Sequence, residues 1–354
     1  MHTTLAVKDG TKSRTHVKPD FKAAHIAAEF AHDAPLITCR FDPTGKFVFA
    51  SGEDRAIARW ELADAKKKTV FTAHDSWVFA LALSKDGQTL VSAGGDDTLI
   101  WWPATAGKPE PQRKVTAHKG WIRSIAISPD GKLLASGGND RLVKLWNLAD
   151  GKLAQEFSGH ELDVYSVAFH PDGRFLLSGD LMGKVQQWDI AAGKSVRVLD
   201  AKQLHTYEGG QQVHFGGIRG LAVSPDKKHL ACGGLHKATN PLGNVHEPIV
   251  ERYDWETHKL VKTHLAEGLT NSTVWNCLFH PDGTLIAGCG GGSGGHLLFW
   301  GKDDEKPVTA FKLPDMAREL DLHPDGLQIA TVHHSKKLRL TRLAPKPPEP
   351  AKKA

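Results

Sequence analysis

Nowhere does this chain approach the ~20 consecutive apolar residues that a membrane-spanning helix needs. No apolar core follows the first methionine, as a secretory leader would require. A cytoplasmic protein without a membrane partner is the expectation. Cysteine is scarce: Cys39, Cys232, Cys277 and Cys289 are the only four in 354 residues. Their spacing fits neither a disulfide framework nor a zinc site, and they fall at apolar or small-residue positions, so buried reduced thiols are expected. Charge of one sign is also lacking. The net charge is +5, but residues 1–20 and 344–354 contribute +2 each, which leaves the middle near neutral. A broad nucleic-acid surface needs clustered basic charge on the folded part, so no nucleic-acid partner is expected.

What the chain has in quantity is turn chemistry. The stretch from Ala117 to Leu148, AHKGWIRSIAISPDGKLLASGGNDRLVKLWNL, reads as three short strands. SPDG and NDR separate them, with Pro at the second position of the first turn. One such unit cannot bury its own apolar surface, so it needs copies. The copies are present. The turn glycine of this unit, Gly131, recurs at Gly45, Gly87, Gly173, Gly283 and Gly326, with SPDK at Ser224 to Lys227 standing in once. The steps are 42, 44, 42, 54, 56 and 43 residues, a period that matches four strands per propeller blade.

A histidine near the start of each unit and a tryptophan near its end recur as well: His32 with Trp60, His74 with Trp102, His118 with Trp146, and His160 with Trp188, which Asp189 follows. On these residues the chain resembles the WD-repeat β-propeller family over about residues 21–343. The expected fold is all-β: a single seven-bladed propeller of four-stranded antiparallel blades, flanked by a flexible N-terminal tail (1–20) and a Pro/Lys-rich C-terminal tail (344–354). The segment before His32 matches the outer strand of later repeats, and the last repeat lacks one. The N-terminal strand, about residues 24–31, is therefore expected to pair into the last blade and remove two open edges. The resemblance implies the same ring closure.

The resemblance also implies a His–Ser–Asp–Trp network inside each blade. The third repeat supplies His118, Ser136, Asp140 and Trp146; the second, His74, Ser92, Asp96 and Trp102; the first, His32, Ser51, Asp54 and Trp60. A buried indole N–H needs an acceptor, and an imidazole can relay the bond onward. These histidines are thus structural. In the fourth repeat Met182 stands where Asp140 stands, so a weaker network is expected, with Asp180 as a substitute. The fifth repeat is irregular. His214 takes the histidine place by spacing, Cys232 replaces the serine, and Tyr253–Asp254 replace the Trp–Asp pair. Tyr253→Phe is accordingly expected to cost less than Trp146→Phe. Insertions at about 199–212 and 235–247 flank this repeat, and strand alternation places both on one face.

Few residues suggest catalysis. The G-x-S-x-G match at Gly291–Gly295 lacks a strand-to-helix setting, and His205, His236, His246, His264 and His296 lack ligand spacing and a carboxylate cluster. No catalytic, cofactor-binding or metal-binding residue is assigned, and no cofactor. One column does stand out. The position of Arg123, read across all repeats in the register of the turn glycines, gives Ile37, Phe79, Arg123, Tyr165, Arg219, Trp275 and Arg318. Two residues earlier lie Trp77, Trp121 and Asp163. Six consecutive repeats alternate aromatic and arginine there. At the start of the innermost strands these side chains would ring one channel mouth, and they are residue types enriched at binding hot spots. The expected function is a non-catalytic, monomeric protein–protein interaction scaffold whose top face takes an acidic, partly apolar protein segment. Internal stacking of the same side chains is the competing account of that column. An enzyme or small-molecule or metal binder, with its site at the channel mouth under the fifth-repeat insertions, is the alternative function.

Overall fold

The computed structural model describes residues 18–238, 245–292 and 294–346. Seven four-stranded antiparallel sheets follow one another along the chain. Blade three has its inner strand at Ile122–Ile127, then Leu133–Gly138, Val143–Asn147 and the outer strand Leu153–Phe157. Blade seven is assembled from both ends of the fold. Its strands Ala317–Leu322, Gln328–His333 and Lys337–Arg342 are completed by His25–Ala31. His25 lies opposite Arg342 and Ala31 opposite Lys337, and Phe30 is buried beside Trp60 of blade one.

The turns that set the period are built from their own side chains. In SPDG, Ser128 Oγ donates to Asp130 at 2.6 Å and accepts from the Leu133 amide at 2.9 Å. Gly131 adopts φ +75°, the left-handed region a side chain disfavours. Between blades the sheets meet through apolar faces. Ala135, Val143, Leu145 and Phe157 of blade three pack with Val164, Val167, Leu176 and Trp188 of blade four. The approach is so close that a Cβ on Gly137 would sit 2.6 Å from Val164 Cγ1. The glycine after the second-strand serine is therefore a packing requirement.

The seam between blades seven and one carries ion pairs as well as apolar contacts. Passing down the inner strands, Arg318 bonds Glu53 at 2.6 Å and Arg40 lies 3.5 Å from Glu319. Below them the Phe41 amide donates to Asp321 at 2.7 Å, and His323 Nε2 bonds the Gly45 carbonyl at 3.1 Å. A further pair, Arg339 with Glu29 at 2.6 Å, ties the N-terminal strand to its neighbour.

The relay expected inside the blades is present in full in blades two, three and four. In blade three, Trp146 Nε1 donates to Ser136 Oγ at 2.9 Å, Ser136 bonds His118 Nε2 at 2.7 Å, and His118 Nδ1 bonds Asp140 at 2.8 Å. The fourth blade corrects the expectation of a weaker network. Asp180, two residues before Met182, reaches His160 Nδ1 at 2.8 Å and also accepts from the Met182 and Lys184 amides. The carboxylate arrives from a strand end instead of the following turn, and the bonds are as short. In blade one Asp54 instead meets His32 Nε2 at 2.9 Å, while Ser51 turns to the Val78 carbonyl of blade two.

The fifth blade holds the second correction. His214 is not its relay histidine. It lies in an added two-stranded ribbon, His205–Glu208 paired with Val213–Gly216, between the outer strand of blade four and the inner strand Gly220–Val223. The step of 18 residues to Cys232 is a coincidence of insertion length. The second insertion is a lengthened hairpin, His229–His236 against Glu247–Asp254, whose tip at 239–244 lies outside the described residues. Tyr253 donates to the buried Glu251 carboxylate, a partner of its own in place of the missing serine. Ser293 of the G-x-S-x-G match also lies outside the described residues; Gly291 and Gly294 beside it pair across a strand–turn–strand hairpin.

Candidate partner-binding face

Six of the seven inner strands open with an irregularity, and the irregularity falls on the column found in the sequence. Pairing of the first and second strands skips one residue between Leu36 and Thr38, Val78 and Ala80, Ile122 and Ser124, Val164 and Ser166, Val274 and Asn276, and Ala317 and Glu319. The skipped residues are Ile37, Phe79, Arg123, Tyr165, Trp275 and Arg318. A bulge leaves its residue out of the ladder and re-aims its side chain. Here it turns six side chains toward the axis. In blade five the strand begins only after the column, at Gly220, and Arg219, whose amide donates to the Gly233 carbonyl, occupies the place. All seven side chains line one central channel of about 950 Å³.

The ring is a stacked ladder over five blades. Trp77 meets Phe79 edge to face at 6.4 Å, and Phe79 lies 5.2 Å from Trp121. The Arg123 guanidinium sits 4.6 Å from the Trp121 ring centre, 5.2 Å from Phe79 and 5.1 Å from Tyr165. Arg219 lies 3.9 Å over Tyr165 and 5.8 Å from Trp275. Each arginine is anchored through Nε, Arg123 to Asn139 Oδ1 at 2.9 Å and Arg219 to the Gly216 carbonyl at 3.1 Å. Among the described residues, neither guanidinium makes a hydrogen bond through its Nη atoms, so both keep donors for a carboxylate. Burial against the rings lowers the Arg123 pKa, and Arg219 pushes the same way. Burial raises the pKa of Asp163, against the pull of Arg123 and Arg141.

Blades seven and one end the ladder. Arg318 is not a free cation: Glu53 of blade one pairs with it. Ile37 completes the circle as an apolar contact. At the other end Trp77 and Trp121 are 44% and 42% exposed, high values for indoles. The face therefore grades from exposed indoles through stacked arginines to a neutralised pair. Three features of it escaped sequence reasoning: the bulges, Asn139 and Glu53. The last two share a place in their repeats, just after the second strand, where their amides donate to the Trp121 and Pro35 carbonyls. Reading that column beside the arginine column would have found both.

The histidines singled out in the sequence do not converge as a set. His264 is buried against Trp300, and burial pulls it down to about 4. His246 bonds Thr273 at 3.2 Å, and His236 lies 3.5 Å from Glu247. His205 instead meets His214 at 2.9 Å, a pairing the spacing did not suggest. Among the described residues, no three His, Cys, Asp or Glu side chains cluster to hold a metal.

Seven four-stranded blades closed in a ring, three of them with a full Trp–Ser–His–Asp relay, define a β-propeller of the repeat type. The family model "WD domain, G-beta repeat" matches residues 26–61, 65–103, 109–147, 151–189 and 258–301. These segments make up more than half of the chain, which belongs to the WD-repeat family. The unmatched stretches hold the fifth blade's first strands with their insertions, and the seventh blade. Similar proteins include rat transducin beta-like protein 3, 40% identical over 67 residues, 19% of this chain and 8% of that protein. Rice small ribosomal subunit protein RACK1y is 33% identical over 86 residues, 24% of this chain and 25% of that one. The fission yeast pre-mRNA-splicing factor cwf17 is 30% identical over 80 residues, 22% and 24% respectively. Each match spans a quarter or less of the relative. Among the described residues no helix is long and apolar enough to cross a membrane.

Proposed function

We propose that this chain is a non-catalytic interaction scaffold whose top face holds an acidic, partly apolar segment of a protein partner. The observation that carries the reading is the pair of exposed indoles, Trp77 and Trp121, beside the channel-lining Arg123, which is anchored on Asn139 through Nε alone. Flat apolar surface beside an anchored guanidinium suits a carboxylate that neighbours an apolar side chain. Stacking inside the ring does not oppose this use, because an arginine held on rings is pre-organised and loses little freedom on binding. Relatives named for ribosomal and splicing assemblies support a scaffold role. Four buried free thiols suit a reducing compartment such as the cytoplasm.

The test is the double variant Arg123→Gln/Arg219→Gln, challenged with acidic peptides containing leucine and phenylalanine. Arg318 is left in place, since changing it would strip Glu53 of its partner. Saturable, salt-sensitive binding by the parent and its loss in the variant, with unchanged melting, is the expected outcome. The channel itself supports a second reading, as a small-molecule site. About 950 Å³ is a typical ligand volume, and Arg40, Glu319 and Asp321 add polar groups below the ring. A small molecule retained by the purified protein and displaced by Arg40→Ala, with no peptide bound, would favour it.

A further inference from the structure

The added ribbon between blades four and five carries a pair of imidazoles that take no part in the blade relays. His205 Nε2 and His214 Nδ1 are 2.9 Å apart, their ring planes are within 23° of each other, and their centres are 5.1 Å apart. Rings stacked face to face could not combine that centre separation with so short a nitrogen contact. The two rings lie end to end, nearly coplanar, joined by one N–H···N bond. Such a bond needs a donor on one ring and a lone pair on the other, so at least one imidazole must be neutral.

The surroundings favour the neutral pair. Burial lowers the pKa of His205, and His214 lowers it further. Asp180 and Asp200 oppose this, while Lys184 adds to it. Asp180 is already engaged by His160 and two amides. Tyr207 packs its ring 4.7 Å from His214, and Glu208 turns to the Gly210 amide. No carboxylate bonds either imidazole among the described residues. A second proton would therefore break the N–H···N bond and set two cations against each other.

The ribbon also touches the ring. Its last residue, Gly216, supplies the carbonyl that Arg219 Nε bonds, and its base is pinned by the Gly217 amide on the Leu204 carbonyl at 2.7 Å. Gly216 holds φ +97°, and a Cβ there would lie 2.0 Å from the Leu204 oxygen, so the carbonyl direction is set by the ribbon's closure. We propose that the ribbon is a proton-operated latch. With one proton shared between His205 and His214 it holds Gly216 against Arg219 and so presents the ring in its binding geometry; protonation of both imidazoles opens the ribbon and frees Arg219. The latch rests on the reading of the ring as the partner site, which it would make pH-sensitive through the histidine titration range.

The experiment needs no ligand, so its failure is distinct from failure of peptide binding. Amide exchange over residues 205–216, corrected for intrinsic rates, and the Arg219 Nε–H resonance are followed from pH 7.5 to pH 5 in the full chain. The same is done for His205→Gln and His214→Gln, where the amide can keep a bond to the remaining imidazole without two charges. In the parent, protection should fall at least tenfold, and the Arg219 signal should move with the same midpoint. At least one glutamine variant should stay protected at both pH values with a flat Arg219 signal. Unchanged protection in the parent, a silent Arg219 while the ribbon opens, or the same loss in both variants would each overturn the latch.

Discussion

A single indole N–H shows how each blade is held. Trp146 donates to Ser136, which passes the bond to His118 and Asp140. Trp146→Phe should cost about 1–3 kcal/mol in chemical denaturation, because Ser136 and the relay behind it lose a buried partner. Tyr253→Phe should cost a similar amount. The sequence suggested a smaller loss, since blade five lacks the regular serine, but Tyr253 satisfies the buried Glu251, whose pKa burial raises. A clearly smaller loss for Tyr253→Phe would mean that Glu251 finds another partner. Asp321 in the channel wall makes a pH-dependent case. Burial pushes it up to about 6, against the pull of Arg40 and the Phe41 amide. A carboxyl whose folded pKa lies above its unfolded value of about 4 stabilises the fold when protonated. That contribution is lost as pH rises from about 4 through 6. Asp321→Asn keeps an acceptor for Phe41 and removes the charge. Its melting temperature should therefore gain on the parent's between pH 4.5 and pH 7, and stay parallel above. Parallel curves across the whole range would show that Asp321 does not titrate there.

At the scale of elements, the outer strand His25–Ala31 carries the clearest consequence. It completes blade seven through a six-residue register and buries Phe30. Deleting residues 1–31 should expose the edge at Lys337–Arg342 and give aggregation, while deleting residues 1–18 should leave melting nearly unchanged. Equal melting and a monomeric state for both truncations would show that the ring closes without this strand. This element was legible in the sequence because an outer strand ends one to three residues before each of His32, His74, His118 and His160. The ribbon at His205–Gly216 was not legible. Its histidine mimicked a relay position by spacing alone, and only pairing places His214 opposite Tyr207. Bulges escaped for a related reason: one extra residue changes direction without changing composition. The residues that ride on them were found as a column, Ile37 to Arg318, before any reason for their common direction was visible.

For the whole molecule, repetition made the architecture readable, since seven copies of one turn and six of one bulge fix the ring. The neutralising partner was missed because the columns were read singly. Glu53 lies 265 positions from Arg318, and only ring closure joins them. The same closure makes the top face asymmetric, with free indoles on blades two and three and an ion pair where blade seven meets blade one. One titration tests whether that face is a binding surface. Trp77 and Trp121 emission is followed as an acidic peptide containing leucine and phenylalanine is added, at low and at high salt, to the parent and to Arg123→Gln/Arg219→Gln. The account predicts a saturable change in the parent that weakens with salt and disappears in a variant that melts as the parent does. Equal, salt-insensitive signals from both proteins would contradict it and leave the stacked ring as a plug in the channel.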